Sequence, residues 1–422
     1  MASKIDSTYL RPFTGYSDFT LGISLRSIFL FALKILVLSI LLSHNLRDWF
    51  IAINHLGIYL FLLSGYLAFL VTPVIKFLAF RFAVLDFPEA RKIHSSPTPL
   101  WGGLAIYMAF IMTLIFNLPI PSKILGIIVG ATLLIIIGVL DDIKGLPARL
   151  RLLVQIIAAL IVIKSGICLE FVPNEAFGVF IEIFFTVLWI VGITNAFNFF
   201  DGMDGLSAGI GLIAAFFFAL VAIQTNQLFL MYLSLSLIGA CAGFLPFNLR
   251  YKRPASIFLG DTGSTLIGFV LASLAVMGEW ANNNPIKAFS MPLLIFGVLI
   301  FDLIYISIAR IVTKQVRNFK EWLEFVGKDH LHHRLAAMGL SNIQSVFLIF
   351  FLSIVMGLSA IILKNGRTID AVLGLIQMAS VLIIISILMK KGGELLHKPE
   401  KREVKKSRKR KARAYQNLLF DK

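Results

Sequence analysis

The sequence predicts an all-α polytopic membrane protein, and three observations carry that prediction. Of the 422 residues, 58% are hydrophobic and only 15% charged. An ordinary soluble domain has roughly 45–50% and about 25%. The apolar residues collect in runs close to the ~20 that a helix needs to cross a bilayer. Lys and Arg in the connecting loops favour one side. This composition excludes a disordered chain, a collagen-like chain and a plain soluble enzyme. The formal net charge of +16 would by itself raise nucleic acid as a partner. With these runs the lipid bilayer takes its place, and no nucleic acid is expected. Two cysteines, Cys168 and Cys241, offer no disulfide framework and no thiolate metal site.

A window of about 19 residues places twelve spans, at roughly 20–43, 56–80, 100–118, 123–140, 150–167, 177–194, 205–223, 228–246, 263–278, 289–310, 343–363 and 370–389. The runs do not alternate, and only helices or closed barrels satisfy the backbone in lipid. Each therefore reads as a helix. The first has no small-residue cleavage pattern, contains Arg26 and Lys34, and is too long for a signal-peptide core. It is expected to be an uncleaved extra helix within an N-terminal segment, 1–55. A transmembrane core, 56–389, and a basic tail, 390–422, follow. No convincing internal repeat appears, which counts against an inverted-repeat transporter.

If the tail is cytoplasmic, an even helix count puts the N-terminus there too. The inner loops then carry thirteen Lys and Arg against five outside, in agreement with the positive-inside rule. Residues 390–413 hold twelve basic and three acidic residues, a net charge of +9. That segment reads as a solvated tail that fixes topology, with a further attraction to anionic lipid.

The few acidic residues collect in the loops of that inner face. Asp141 and Asp142 end the fourth span, where the helix dipole is negative and carboxylates are unfavourable. They read as a polar stop or as a functional pair, and neighbouring positions point different ways. The stretch Asn195-Ala-Phe-Asn198-Phe-Phe-Asp201-Gly-Met-Asp204-Gly205 clusters carboxylates and amides with no basic residue. Asp204 could cap the next helix. The set as a whole suits Mg²⁺ or the edge of a base.

Phe258-Leu-Gly-Asp261-Thr-Gly-Ser264 opens span nine with a glycine turn, where Asp261 or Ser264 could be a cap. The same turn could carry a phosphate through a metal ion. The run Lys328-Asp329-His330-Leu-His332-His333-Arg334 reads as a solvated basic loop or a diphosphate-holding one. It is a poor zinc site. Arg91-Lys92-Ile-His94 opens a similar basic, turn-rich loop. Asp302 falls inside span ten and should face the bundle interior. Glu182 and Lys164 lie near span ends, where snorkelling suffices. Carboxylates, amides, glycine turns and basic loops together are the parts of metal-assisted phosphoryl transfer.

The chain resembles the polyprenyl-phosphate N-acetylhexosamine-1-phosphate transferases. The markers are K-x-H-x4-P-x2-GG at 92–103, Asp141-Asp142, N-x2-N-x2-D-G-x-D-G-L at 195–206, F-x-G-D-x-G-S at 258–264 and H-x-H-H at 330–333. The resemblance covers roughly 56–389. It implies an eleven-helix core with a catalytic cleft on the cytoplasmic face of a bacterial plasma membrane, so about twelve transmembrane helices with the extra one. The spacing from Lys92 to Gly102 and the H-L-H-H-R loop are similar to the GlcNAc-1-phosphate branch rather than the phospho-MurNAc-pentapeptide branch.

The implied reaction moves a hexosamine-1-phosphate from a UDP-amino sugar, UDP-GlcNAc or a related one, to undecaprenyl phosphate. UMP is released, as the first membrane step of a cell-surface polysaccharide such as O-antigen or a wall polymer. By the same resemblance, Asn198 and Asp261 hold Mg²⁺, with Mn²⁺ as an alternative ion. Asp141 or Asp142 positions or deprotonates the lipid phosphate. Phe258 stacks on uracil and Asp204 bonds its edge. Lys92, His332, His333 and Arg334 hold anionic oxygens. Asn195, Asp201 and Asp302 support the site, and a homodimer is compatible with the family. The competing readings are a transporter or flippase of lipid-linked sugars, which would place polar groups near the bilayer midplane, and a membrane scaffold that recruits partners through the tail.

Overall fold

The structure, a computed structural model, describes residues 25–87, 96–171, 176–280, 285–318, 321–322, 325, 327, 329–365 and 368–396. Lys92 and the tail beyond residue 396 lie outside the described residues. What is described is an all-α polytopic membrane protein, apart from one two-residue strand pairing.

Of the described residues, 25–54 belong to one unit. Helix α1 (Leu25–Leu41) turns by 48° into α2 (His44–Ala52). The first span expected at 20–43 therefore corresponds to α1, and the chain continues past its end, across a bend, into α2. Ser43 makes the break. Its hydroxyl donates to Ile40 O at 2.8 Å and accepts from Leu46 N at 3.3 Å, closing one helix and capping the next.

The second unit begins at His55. It contains α3 (Leu56–Arg81), the strands β1 (Leu85–Asp86) and β2 (Thr98–Pro99), α4 (Gly102–Asn117), α5 (Ser122–Lys144), α6 (Ala148–Lys164) and α7 (Ala176–Phe200). These are followed by α8 (Leu206–Gln224), α9 (Leu228–Asn248), α10 (Gly260–Met277), α11 (Pro285–Ile295), α12 (Gly297–Val312), α13 (Leu331–Ala337), α14 (Asn342–Asn365) and α15 (Thr368–Leu396). Among the described residues, seven helices are long and apolar enough to cross a membrane, or nine if each bent pair counts as one span.

Helix α10 is the hub. It packs on α4, α5, α7 and α8, and its residues from Leu266 to Ala275 are all buried. Lipid gives apolar side chains no reason to leave it, so close backbone approach has to hold such a bundle together. Gly103 of α4 provides one such approach: a Cβ there would fall on the backbone of Gly263.

Span ten is broken. Helix α11 meets α12 at 80°. Pro292 removes a donor from α11, and buried Phe296 anchors the corner between Phe218 and Phe197, at 5.5 and 6.2 Å between ring centroids. Glu182 does not snorkel. It is 6% exposed, and its Oε1 accepts from Phe171 N at 2.7 Å, so it pins the α6–α7 connection.

Candidate active site

Helix α5 ends on the acidic pair. Gly145, at φ +65°, closes the helix and donates to Asp141 O at 2.8 Å. Pro147 then starts α6, so the chain reverses at once and returns Arg151 to the carboxylates. Asp141 is buried. Its Oδ1 accepts from Leu146 N at 2.5 Å and its Oδ2 from Arg151 Nη1 at 2.8 Å. Asp142 faces the other way and accepts from the Thr262 hydroxyl at 2.5 Å. The two neighbours thus do point apart, one at α6 and one at α10.

The start of α10 is fixed by the segment ahead of α4. Phe258 N donates to Pro99 O at 2.8 Å, Gly102 N to Phe258 O at 3.0 Å, and Gly103 N to Leu259 O at 2.9 Å. This strand-like zipper delivers Asp261 to the same cavity as Asp141. Asp261 accepts from Arg151 Nη1 and, at 3.0 Å, from Asn198 Nδ2. Asn198 also donates to Ser264 Oγ at 3.1 Å. Neither Asp261 nor Ser264 caps the helix, since Ser264 donates back to Gly260 O at 3.2 Å.

Asn195, one turn before Asn198, pairs with Gln155 of α6. Its Nδ2 donates to Gln155 Oε1 at 2.6 Å. Asp141, Arg151, Gln155, Asn195, Asn198 and Asp261 line one narrow cavity with an apolar floor from α5.

Asp201 follows α7 directly. Burial, then the carboxylates of Asp261, Asp204 and Asp142, push its pKa well above the ordinary value. Asp204 is not the cap of α8. Its Oδ2 accepts from Ala255 N at 2.9 Å, while Gly205 N donates to Asn248 Oδ1 at 2.7 Å. The loop after α7 is thereby tied to the Phe258 segment.

The histidine segment is held from α12. Asp302 is 1% exposed and faces inward, as its sequence position implies. Its Oδ2 lies 2.7 Å from His330 Nδ1, and its Oδ1 accepts from Leu331 N at 2.8 Å. Arg310 makes a two-pronged pair with Asp329 at 2.7 and 2.8 Å. Burial would raise the Asp329 pKa, but the Arg310 hydrogen bonds and charge outweigh it and hold it low.

Arg334 sits apart from the carboxylate cavity. It donates to the Asp329 and Met389 carbonyls, both at 2.5 Å, and braces the segment against α15. His332 is carried the other way. It is 1% exposed, and both ring nitrogens lack a hydrogen-bond partner among the described residues. The ring lies against Gly202 and edge-on to Phe200. Burial, with His333 and His330 beside it, keeps its pKa well below the usual imidazole value, so it is neutral at pH 7. The ring of His333 is 4.3 Å from that of His332.

Asp302→Ala should leave both His330 and Leu331 N without their buried acceptor, at a cost of about 1–3 kcal/mol. A lower unfolding temperature in detergent and faster proteolysis near residue 330 are expected, with Asp302→Asn milder. Unchanged values for Asp302→Ala would refute the bracing role.

Four of the five sequence motifs therefore meet at one end of the bundle, and the fifth reaches it through its final Pro99-to-Gly103 stretch. Arg151 and Gln155 are the site residues that motif reading missed. The available signal was an acidic pair followed by a Gly-x-Pro reversal and a basic residue one turn into the next helix.

The family model described as Glycosyl transferase family 4 matches residues 124–279. A protein of Bacillus subtilis (strain 168) named "Probable undecaprenyl-phosphate N-acetylglucosaminyl 1-phosphate transferase" is 35% identical over 312 residues, 72% of this chain and 84% of that protein. Decaprenyl-phosphate N-acetylglucosaminephosphotransferase of Mycolicibacterium smegmatis is 30% identical over 80% of this chain and 90% of its own. Phospho-N-acetylmuramoyl-pentapeptide-transferase of Caldanaerobacter subterraneus is 31% identical over 67% of this chain and 89% of its own.

Proposed function

The chain belongs to glycosyl transferase family 4, and from that premise we propose that it transfers N-acetylhexosamine-1-phosphate from a UDP-amino sugar, UDP-GlcNAc foremost, to undecaprenyl phosphate with release of UMP. The supporting observation is the convergence of Asp141, Asn198 and Asp261 from three different helices on one cavity, with Asp142 bonded to the neighbouring Thr262. An oxygen of the lipid phosphate attacks the β-phosphorus, a new P–O bond forms, and the bond to UMP breaks. Both reactants are anions, so neutralising charge is the main task of the site. A lipid phosphate is already largely ionised near pH 7. Asp141 or Asp142 therefore has more to do in positioning the nucleophile than in removing a proton.

Mg²⁺, or Mn²⁺ in its place, fits the donor set. The available ligands are hard oxygens from Asp261 and from Asn198, whose carbonyl is left over once its amide nitrogen is spent. Among the described residues no three His, Cys, Asp or Glu side chains form a ready cluster. That favours an ion shared with substrate phosphates over one caged by protein. Bound there, the ion would neutralise the diphosphate.

His332, whose two buried ring nitrogens beside Gly202 have no partner among the described residues, is suited to anionic or hydroxyl groups of the nucleotide sugar. His333 and Lys92 belong to the same reading. Phe258 would stack on uracil beside the loop that Asp204 ties down. The polar end of the bundle faces the cytoplasm in this reading, where nucleotide sugars are found. UMP release from a panel of UDP-sugars, dependent on undecaprenyl phosphate and Mg²⁺, is the test. Sugar-lipid translocation in liposomes without UMP release would replace this reading with a flippase.

A further inference from the structure

One nitrogen of Arg151 serves two carboxylates that are 120 residues apart in the chain. Nη1 bonds Asp141 Oδ2 at 2.8 Å and Asp261 Oδ2 at the same time. Among the described residues no other cation pairs with Asp141, Asp142 or Asp261. A guanidinium cannot lose its charge in a protein, and the two N–H bonds of its Nη1 can each serve one of the two carboxylates. The Asp261 oxygen it holds belongs to the carboxylate best placed for a metal ion. The Arg151 side chain is 34% exposed, so it has room to turn away.

We propose that Arg151 is a built-in counter-cation. It clamps Asp261 to Asp141 in the substrate-free protein, competes there with the divalent ion, and becomes available to substrate phosphate once the ion displaces it. This rests on the metal reading given above. Arg151 is a positioning residue for the site in the first state and a phosphate ligand in the second. The device offsets part of the negative charge of the acidic cavity when it is empty. Metal uptake and delivery of a guanidinium to the substrate become one event. While Arg151 occupies Asp261, the apparent metal affinity is reduced by the fraction of molecules with the clamp open.

The test uses the full chain, purified in detergent without substrates. Mn²⁺ binding is read from the loss of the free-ion EPR signal in wild type, Arg151→Gln, Arg151→Lys and Asp261→Asn. Arg151→Gln should bind Mn²⁺ about three- to tenfold more tightly than wild type, because the competent fraction no longer has to be released from the clamp. Arg151→Lys should fall between them, and both should release UMP more slowly. A merely structural arginine predicts weaker Mn²⁺ binding on removal.

Equal or weaker binding in Arg151→Gln, with Asp261→Asn impaired, overturns the clamp and leaves the metal reading standing. No Mn²⁺ binding in wild type, or binding indifferent to Asp261→Asn, overturns the metal reading and the clamp with it. If Arg151→Gln fails to yield monodisperse protein, Arg151→Lys decides the question: affinity no tighter than wild type overturns the clamp.

Discussion

Asp261→Ala should lower UMP release by about 10³-fold, near 4 kcal/mol of barrier, while the protein still folds. The loss is large because Asp261 is where three elements converge: Arg151 from α6, Asn198 from α7 and the first turn of α10. The structural cost is small for separate reasons. Asp261 caps no helix, its side chain is 40% exposed, and Asn198 keeps Ser264 while Arg151 keeps Asp141. Initial rates at several Mg²⁺ concentrations, with unfolding temperature as the control, check this. Activity within threefold of wild type would remove Asp261 from the metal site.

Gly103→Ala should do comparable damage by a different route. The added methyl would strike the Gly263 backbone and come within 2.7 Å of the Thr262 carbonyl carbon. No rotamer can relieve a contact between two main chains, so α4 and α10 must separate. Overpacking of this kind costs about 3 kcal/mol. The displaced turn carries Thr262, which bonds Asp142, and Asp261 itself. A shift of about 1 Å at a reacting centre can cost roughly 10²-fold in rate. Thermal unfolding in detergent and UMP release should both fall. Gly192→Ala on α7, where a Cβ would meet nothing within 4 Å, is the matched control and should change neither.

Much of the helical architecture was legible in composition and run length, because lipid leaves the backbone so few solutions. So was the inward aim of Asp302, since an intramembrane carboxylate has to find a partner; which partner, His330, was not. Breaks inside apolar runs were hidden. Ser43 and Pro292 look tolerable within a hydrophobic window, and their effect depends on neighbours such as Phe218 packing at the corner. Glu182 misled because its distance from a span end says nothing about a backbone N–H waiting at Phe171.

In the site, motif reading located the carboxylates and amides but not their cation. Arg151 lies inside a helix, outside every motif, and its role comes from the reversal at Gly145 and Pro147. Arg334 is the converse case. Its neighbours in sequence suggested an anion ligand, yet its guanidinium bonds backbone carbonyls of the Asp329 segment and α15.

In the proposed reaction a phosphosugar, not a sugar alone, moves to the lipid. Incubation with UDP-GlcNAc labelled at the β-phosphorus, undecaprenyl phosphate and Mg²⁺ tests it directly. The label should pass into the organic-extractable lipid while unlabelled UMP accumulates. Label retained in water-soluble UDP, with sugar on the lipid, would show sugar transfer without its phosphate and overturn the proposed reaction.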